Sequence, residues 1–241
     1  MPEQVVKNPN GLCVQPPPGV SWQDYDGPFA KTVGIFARRL ERRSVHPPSP
    51  SPSRFKPGTL LCTLTTEAKF RLFIDDSIDP TTFLSAAYNA LISQAENDQP
   101  AFGQGFAGYG KRFGTNLAGS SSSAFFKDFF YPTIFVEDPR YYRLGHGTIR
   151  QRIFHALEHS VVAHDVYGGR SFNAIEWFGD ISTTVLSNTY LPNNRRGVAP
   201  VMESVGFSVA NDAGFDVLRE FWPEIAKKFK LPFRERNQPD Y

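Results

Sequence analysis

Long apolar runs are missing from this chain. No stretch approaches the roughly 18–20 uninterrupted apolar residues of a simple membrane span. Met1 to Asn8 holds none of the apolar core of a secretory signal. The sequence therefore predicts neither a signal peptide nor a simple transmembrane segment. Cysteine is nearly absent: Cys13 and Cys62 are too few for a disulfide scaffold and lack metal-finger spacing, although an exported chain can still pair them. An excess of one charge is missing too. With 26 Lys and Arg against 24 Asp and Glu, the net charge of +2 provides no protein-wide field for nucleic acid, and no nucleic-acid motif is present. Methionine occurs twice and leucine is sparse, so the leucine-rich seam of ordinary soluble bundles is not available.

Phenylalanine fills that space. The chain has 22 of them in 241 residues, a length that allows one domain of ordinary size with appendages. Phe125-Phe126 and Phe129-Phe130-Tyr131 are too closely spaced to lie on one buried helical face. Residues 1–63 read as an irregular arm with Pro16-Pro17-Pro18, one short basic helix over Phe29–Arg43 with Val33, Phe36 and Leu40 on one side, and a Pro/Ser-rich linker from His46 to Gly58. A helical domain is expected over 64–235, with 236–241 as a tail. Thr65 or Thr66 caps its first helix, and Asp79-Pro80 starts another that runs to about Ala95, aspartate as N-cap and proline at the first helical position. Ser120–Ser123 reads as a break and Glu137–Arg143 as a loop. Further helices are expected over 148–164, 173–188 and 201–229. The predicted fold is all-α, a bundle of about six helices.

Small residues give the strongest architectural signal. Gly103, Ala107, Gly110, Gly114 and Ala118 recur three or four apart, which on a helix makes one stripe nearly free of side chains. Each glycine costs a helix about 1 kcal/mol against alanine, so the repetition predicts close approach of another backbone. Gly179, Thr183 and Ser187, and Gly206, Ala210 and Ala213, extend the pattern to later helices. Small stripes with aromatic patches fit a bundle partly immersed in lipid, while a soluble bundle packed on alanine and glycine remains an equal alternative.

Read in order, Phe70-Arg71, Asp79-Pro80, Phe102-Gly103-Gln104-Gly105 and Gly108-Tyr109-Gly110-Lys111-Arg112-Phe113-Gly114 resemble an uncharacterised bacterial family. The resemblance continues through Glu137-Asp138-Pro139-Arg140-Tyr141-Tyr142-Arg143 and Glu220-Phe221-Trp222-Pro223-Glu224-Ile225, covering about residues 64–230. It implies an exported, envelope-type protein with no assigned activity.

The sharpest catalytic pattern is His155-Ala156-Leu157-Glu158-His159, the H-x-x-E-H signature of inverted zinc metallopeptidases. Histidines four apart share a helical face and suit one zinc, with Glu158 as general base. A third ligand has no obvious source. Paired histidines also serve on a solvated or hydrogen-bonded face, and that reading is preferred; the expected cofactor is none, with zinc the alternative. Gly103-Gln104-Gly105-Phe106-Ala107-Gly108 spells G-x-G-x-x-G, but polar Gln94–Pro100 supplies no strand to feed a dinucleotide loop. Asp75, Asp76 and Asp79 read as a helix end and a cap. Two basic clusters, Arg38-Arg39 with Arg42-Arg43 and Lys227-Lys228 with Lys230, mix cations and apolar residues as membrane-surface segments do, and as helix C-termini also do. The expectation is a non-enzymatic structural or interaction protein at the cell envelope or a membrane surface. Its partners would be that surface, another envelope protein or further copies of itself, not nucleic acid. The rival is a zinc-dependent hydrolase.

Overall fold

In the computed structural model the described residues are 5–8, 11–14, 30–45, 64–135, 137–164, 170–191 and 197–229. The Pro-rich arm around 16–18, the linker with Cys62, Lys230 and the tail 236–241 lie outside them, as do the side chains of Cys13 and Lys227. The fold is an all-α helical bundle with a few two-stranded ribbons. Its helices are α1 (Ala30–Arg42), α2 (Thr66–Ser77), α3 (Pro80–Ala95), α4 (Gly105–Ala124), the single turn α5 (Tyr131–Ile134), α6 (Ile149–Glu158), α7 (Ala174–Ser187) and α8 (Val198–Phe229). A 3₁₀ turn, Pro100–Phe102, precedes α4, and a π-helical stretch, Phe125–Phe130, joins α4 to α5.

The chain forms two compact units. One comprises 1–65, 138–173 and 211–241; the other comprises 66–137 and 174–210. The three later crossings, at 137/138, 173/174 and 210/211, have no counterpart in the sequence reading.

In the first unit, α1 buries Ala37 and Leu40 against Trp222 and Ala226 of α8, with Phe36 edge-on to Trp222 at 5.9 Å. This is the apolar side the sequence assigned to the basic helix. Within the stretch expected to be irregular, β1 (Val5–Asn8) and β2 (Gly11–Val14) pair antiparallel. β3 (Ser44–Val45) runs parallel to β4 (Tyr141–Tyr142), so the expected loop at Glu137–Arg143 is partly strand. α6 starts as predicted, with Thr148 and Gln151 forming a reciprocal capping box, but ends at Glu158. The chain then turns into β5 (Val162–His164), paired with β6 (Arg170–Phe172).

In the second unit, Asp79 caps α3 by accepting from Thr81 N at 2.8 Å, with Pro80 at the first helical position. α3 and α4 pack antiparallel. The turn between them ends in Gly103 and Gly105, both at φ +76°, a conformation that disfavours any side chain. α4 does not break at Ser120–Ser123: Ser122 Oγ donates back to the Ala118 carbonyl at 2.7 Å, and the helix runs through. The aromatic run then winds as a π-helix, which spreads its rings over several directions. Phe129 meets Phe70 of α2 at 5.2 Å, Phe125 meets Phe73 at 5.6 Å, and Tyr131 meets Phe178 of α7 at 6.0 Å.

The glycine stripe is placed differently from its expectation. Gly103 precedes α4 instead of lying on it. A Cβ at Gly110 or Gly114 would meet nothing within 4 Å, and Ala107 and Ala118 are exposed. The close approach is at Gly108, where a Cβ would fall on the Gly103 carbonyl oxygen. Periodicity could not separate the two cases, because it marks a face without saying what covers it. Gly110→Ala and Gly114→Ala should each stabilise the protein by about 0.5–1 kcal/mol, whereas Gly108→Ala should destabilise it by about 1–3 kcal/mol. Urea unfolding midpoints decide this, and a loss of stability at Gly110 would restore the close-packing account.

Candidate functional site

Charged side chains organise the interior of both units, and in the first unit they bring the sequence motifs together. Glu220 of α8 is fully buried. Its Oε2 accepts from Tyr141 Oη and Leu144 N, and its Oε1 from Gly145 N at 2.9 Å and Arg152 Nε at 2.7 Å. Arg152, on α6, also reaches Glu224 at 2.5 Å and the Glu220 carbonyl at 2.6 Å, and lies 4.4 Å over the Phe221 ring. One turn earlier on α8, Asp216 accepts from His159 Nδ1 at 2.7 Å and from Arg219. Arg143 donates to the Arg219 carbonyl. Asp138 takes Arg140 through both carboxylate oxygens and Tyr142 Oη at 2.9 Å. The Glu137–Arg143, His155–His159 and Glu220–Ile225 segments thus contribute to one hydrogen-bonded knot.

That knot leaves little for acid–base work. Burial alone would raise the Glu220 carboxyl, yet the donors from Arg152, Gly145, Leu144 and Tyr141 hold it below the usual carboxylate range. Asp216 is likewise held down against burial by the charges of His159 and Arg219, and Asp138 by Arg140. Burial, reinforced by the neighbouring carboxylates, pushes the Tyr141 and Tyr142 phenols upward. Carboxylates stay ionised and phenols protonated around neutrality.

The H-x-x-E-H helix is built into the same network. His155 Nε2 donates to the Tyr142 carbonyl at 2.8 Å, and His159 Nδ1 must carry a proton because a carboxylate only accepts. Glu158 is exposed. Among the described residues, neither histidine falls in a group of three His, Cys, Asp or Glu side chains whose donor atoms lie within 4.8 Å of one another. The basic residues of the first unit are mixed in exposure: Arg38 and Lys228 face solvent, while Arg39, Arg42 and Arg43 are half-buried.

Two charged centres in the second unit were not identified from sequence. Arg112 is 1% exposed and donates to the carbonyls of Asp98, Gln99 and Gly103 and to Gln94 Oε1, at 2.6 to 3.2 Å. It clamps the α3–α4 turn, and Gly108 lets the Gly103 carbonyl come close enough to be held. The Gly103–Arg112 motif is therefore a turn device, not a nucleotide loop; a 3₁₀ turn precedes it where a dinucleotide site needs a strand. Lys127 is buried between Glu176 at 2.9 Å and Asp180 at 3.4 Å. Gly179 makes room for it, since a Cβ there would overlap the lysine stem. The sequence signal was available: Lys127-Asp128 interrupts five aromatic rings, and Glu176 and Asp180 sit four apart on an otherwise uncharged helix.

No family model, curated protein or solved structure matches the chain.

The lowered carboxyls make a signed prediction. Their stabilisation is complete above the unfolded-state values near pH 4 and is lost as pH falls through the lower folded values. Glu220→Gln should cost about 1–3 kcal/mol at pH 7, because Tyr141, Leu144 and Gly145 lose a charged acceptor while Arg152 keeps Glu224. It should also flatten the loss of stability between pH 5 and pH 3 in urea titrations. An unchanged acid limb would remove Glu220 from the account.

Proposed function

We propose that this is a non-enzymatic structural or interaction protein that works against a membrane surface or another envelope protein. One observation carries the reading: the second unit buries several charged side chains beside its apolar core and leaves many large apolar side chains exposed. Lys69, Asp76, Arg112, Lys127, Asp128, Glu176 and Asp180 are buried there. Large apolar side chains stand exposed on each of its longer helices, among them Phe70 on α2, Leu84 on α3, Phe106 at 92% on α4, Leu186 on α7 and Phe207 at 77% on α8. Soluble monomers rarely expose contiguous apolar patches of large extent, and such surfaces mark contact with lipid or protein. Charges that face inward and pair are what membrane-embedded helices display. The resemblance of the Gly108–Gly114, Glu137–Arg143 and Glu220–Ile225 segments to an envelope-type bacterial family points the same way.

The first unit supports the non-catalytic half of the reading. Its Glu220 has all its lone pairs engaged and its buried phenols are raised, so these carboxyl and phenol groups are not poised as acid or base near pH 7. No helix among the described residues is long and apolar enough to cross a membrane. Association with a surface, by apolar side chains, is the mode that fits these helices.

Flotation of detergent-free protein with phosphatidylcholine vesicles, followed by a high-salt wash, tests this. Protein that remains with the vesicles after salt supports apolar insertion, because ionic attachment through Arg38 or Lys228 would be screened. Protein left in the aqueous layer would make the outward apolar residues a feature of a soluble bundle and overturn the membrane reading.

A further inference from the structure

We draw no further inference here: the strongest candidate, the buried acidic pair Glu176 and Asp180 on α7, carries nothing beyond the ion pairs already described, because the Lys127 ammonium lies between the two carboxylates and nothing among the described residues points to a ligand there.

Discussion

Desolvated charge has to be met in full, and that requirement shapes both units of this protein. A buried ammonium or guanidinium without partners costs several kcal/mol, so each one fixes the elements around it. Lys127 holds the π-helical stretch to α7 through Glu176 and Asp180, and Gly179 is glycine because the lysine stem lies against that turn. Arg112 holds the turn between α3 and α4 by occupying carbonyls that the helix end and the 3₁₀ turn leave open. In the first unit, Glu220 gathers Tyr141, Arg152 and two backbone amides, and Asp216 gathers His159 and Arg219. These are positional devices. They specify one arrangement more than they add net stability, since a well-packed apolar core of similar volume is often as stable.

The same choice fixes the exterior of the second unit. With charged side chains sharing the interior with Leu72, Ile175, Val205 and several alanines, many of the chain's 22 phenylalanines stand outside. The π-helical winding of Phe125–Phe130 buries Lys127 and Asp128 and fans the aromatic rings toward α2 and α7. α3 is the limiting case, with Thr82, Ala86 and Ala90 buried and Leu84, Tyr88 and Leu91 exposed. Buried charge and exposed apolar side chains are one arrangement seen from two sides.

The sequence made part of this legible. Asp79-Pro80 announced a helix start because capping chemistry is local and needs no tertiary information. The buried side of α1 followed from simple periodicity. The serines at 120–123 misled, because a serine that donates back to the carbonyl four residues earlier sits comfortably in a helix. The glycine ladder identified a face but not its neighbours: Gly108 is packed, while Gly110 and Gly114 are open. The histidine pair showed correct metal spacing, yet His155 and His159 spend one ring nitrogen each on Tyr142 and Asp216, partners that spacing along one helix cannot reveal. Lys127, Glu176 and Asp180 were overlooked because 49 or more residues separate the lysine from its carboxylates; only their isolation among apolar neighbours hinted at burial.

The central claim is that the outward apolar surface of the second unit is complementary to an apolar medium, not a tolerated excess. Thermal unfolding of the full chain, followed by circular dichroism with increasing phosphatidylcholine vesicles, addresses it without any substitution. A ligand of the folded state raises Tm by mass action. The account predicts a Tm that climbs with lipid and persists in high salt. A Tm that stays flat or falls as lipid is added would contradict it.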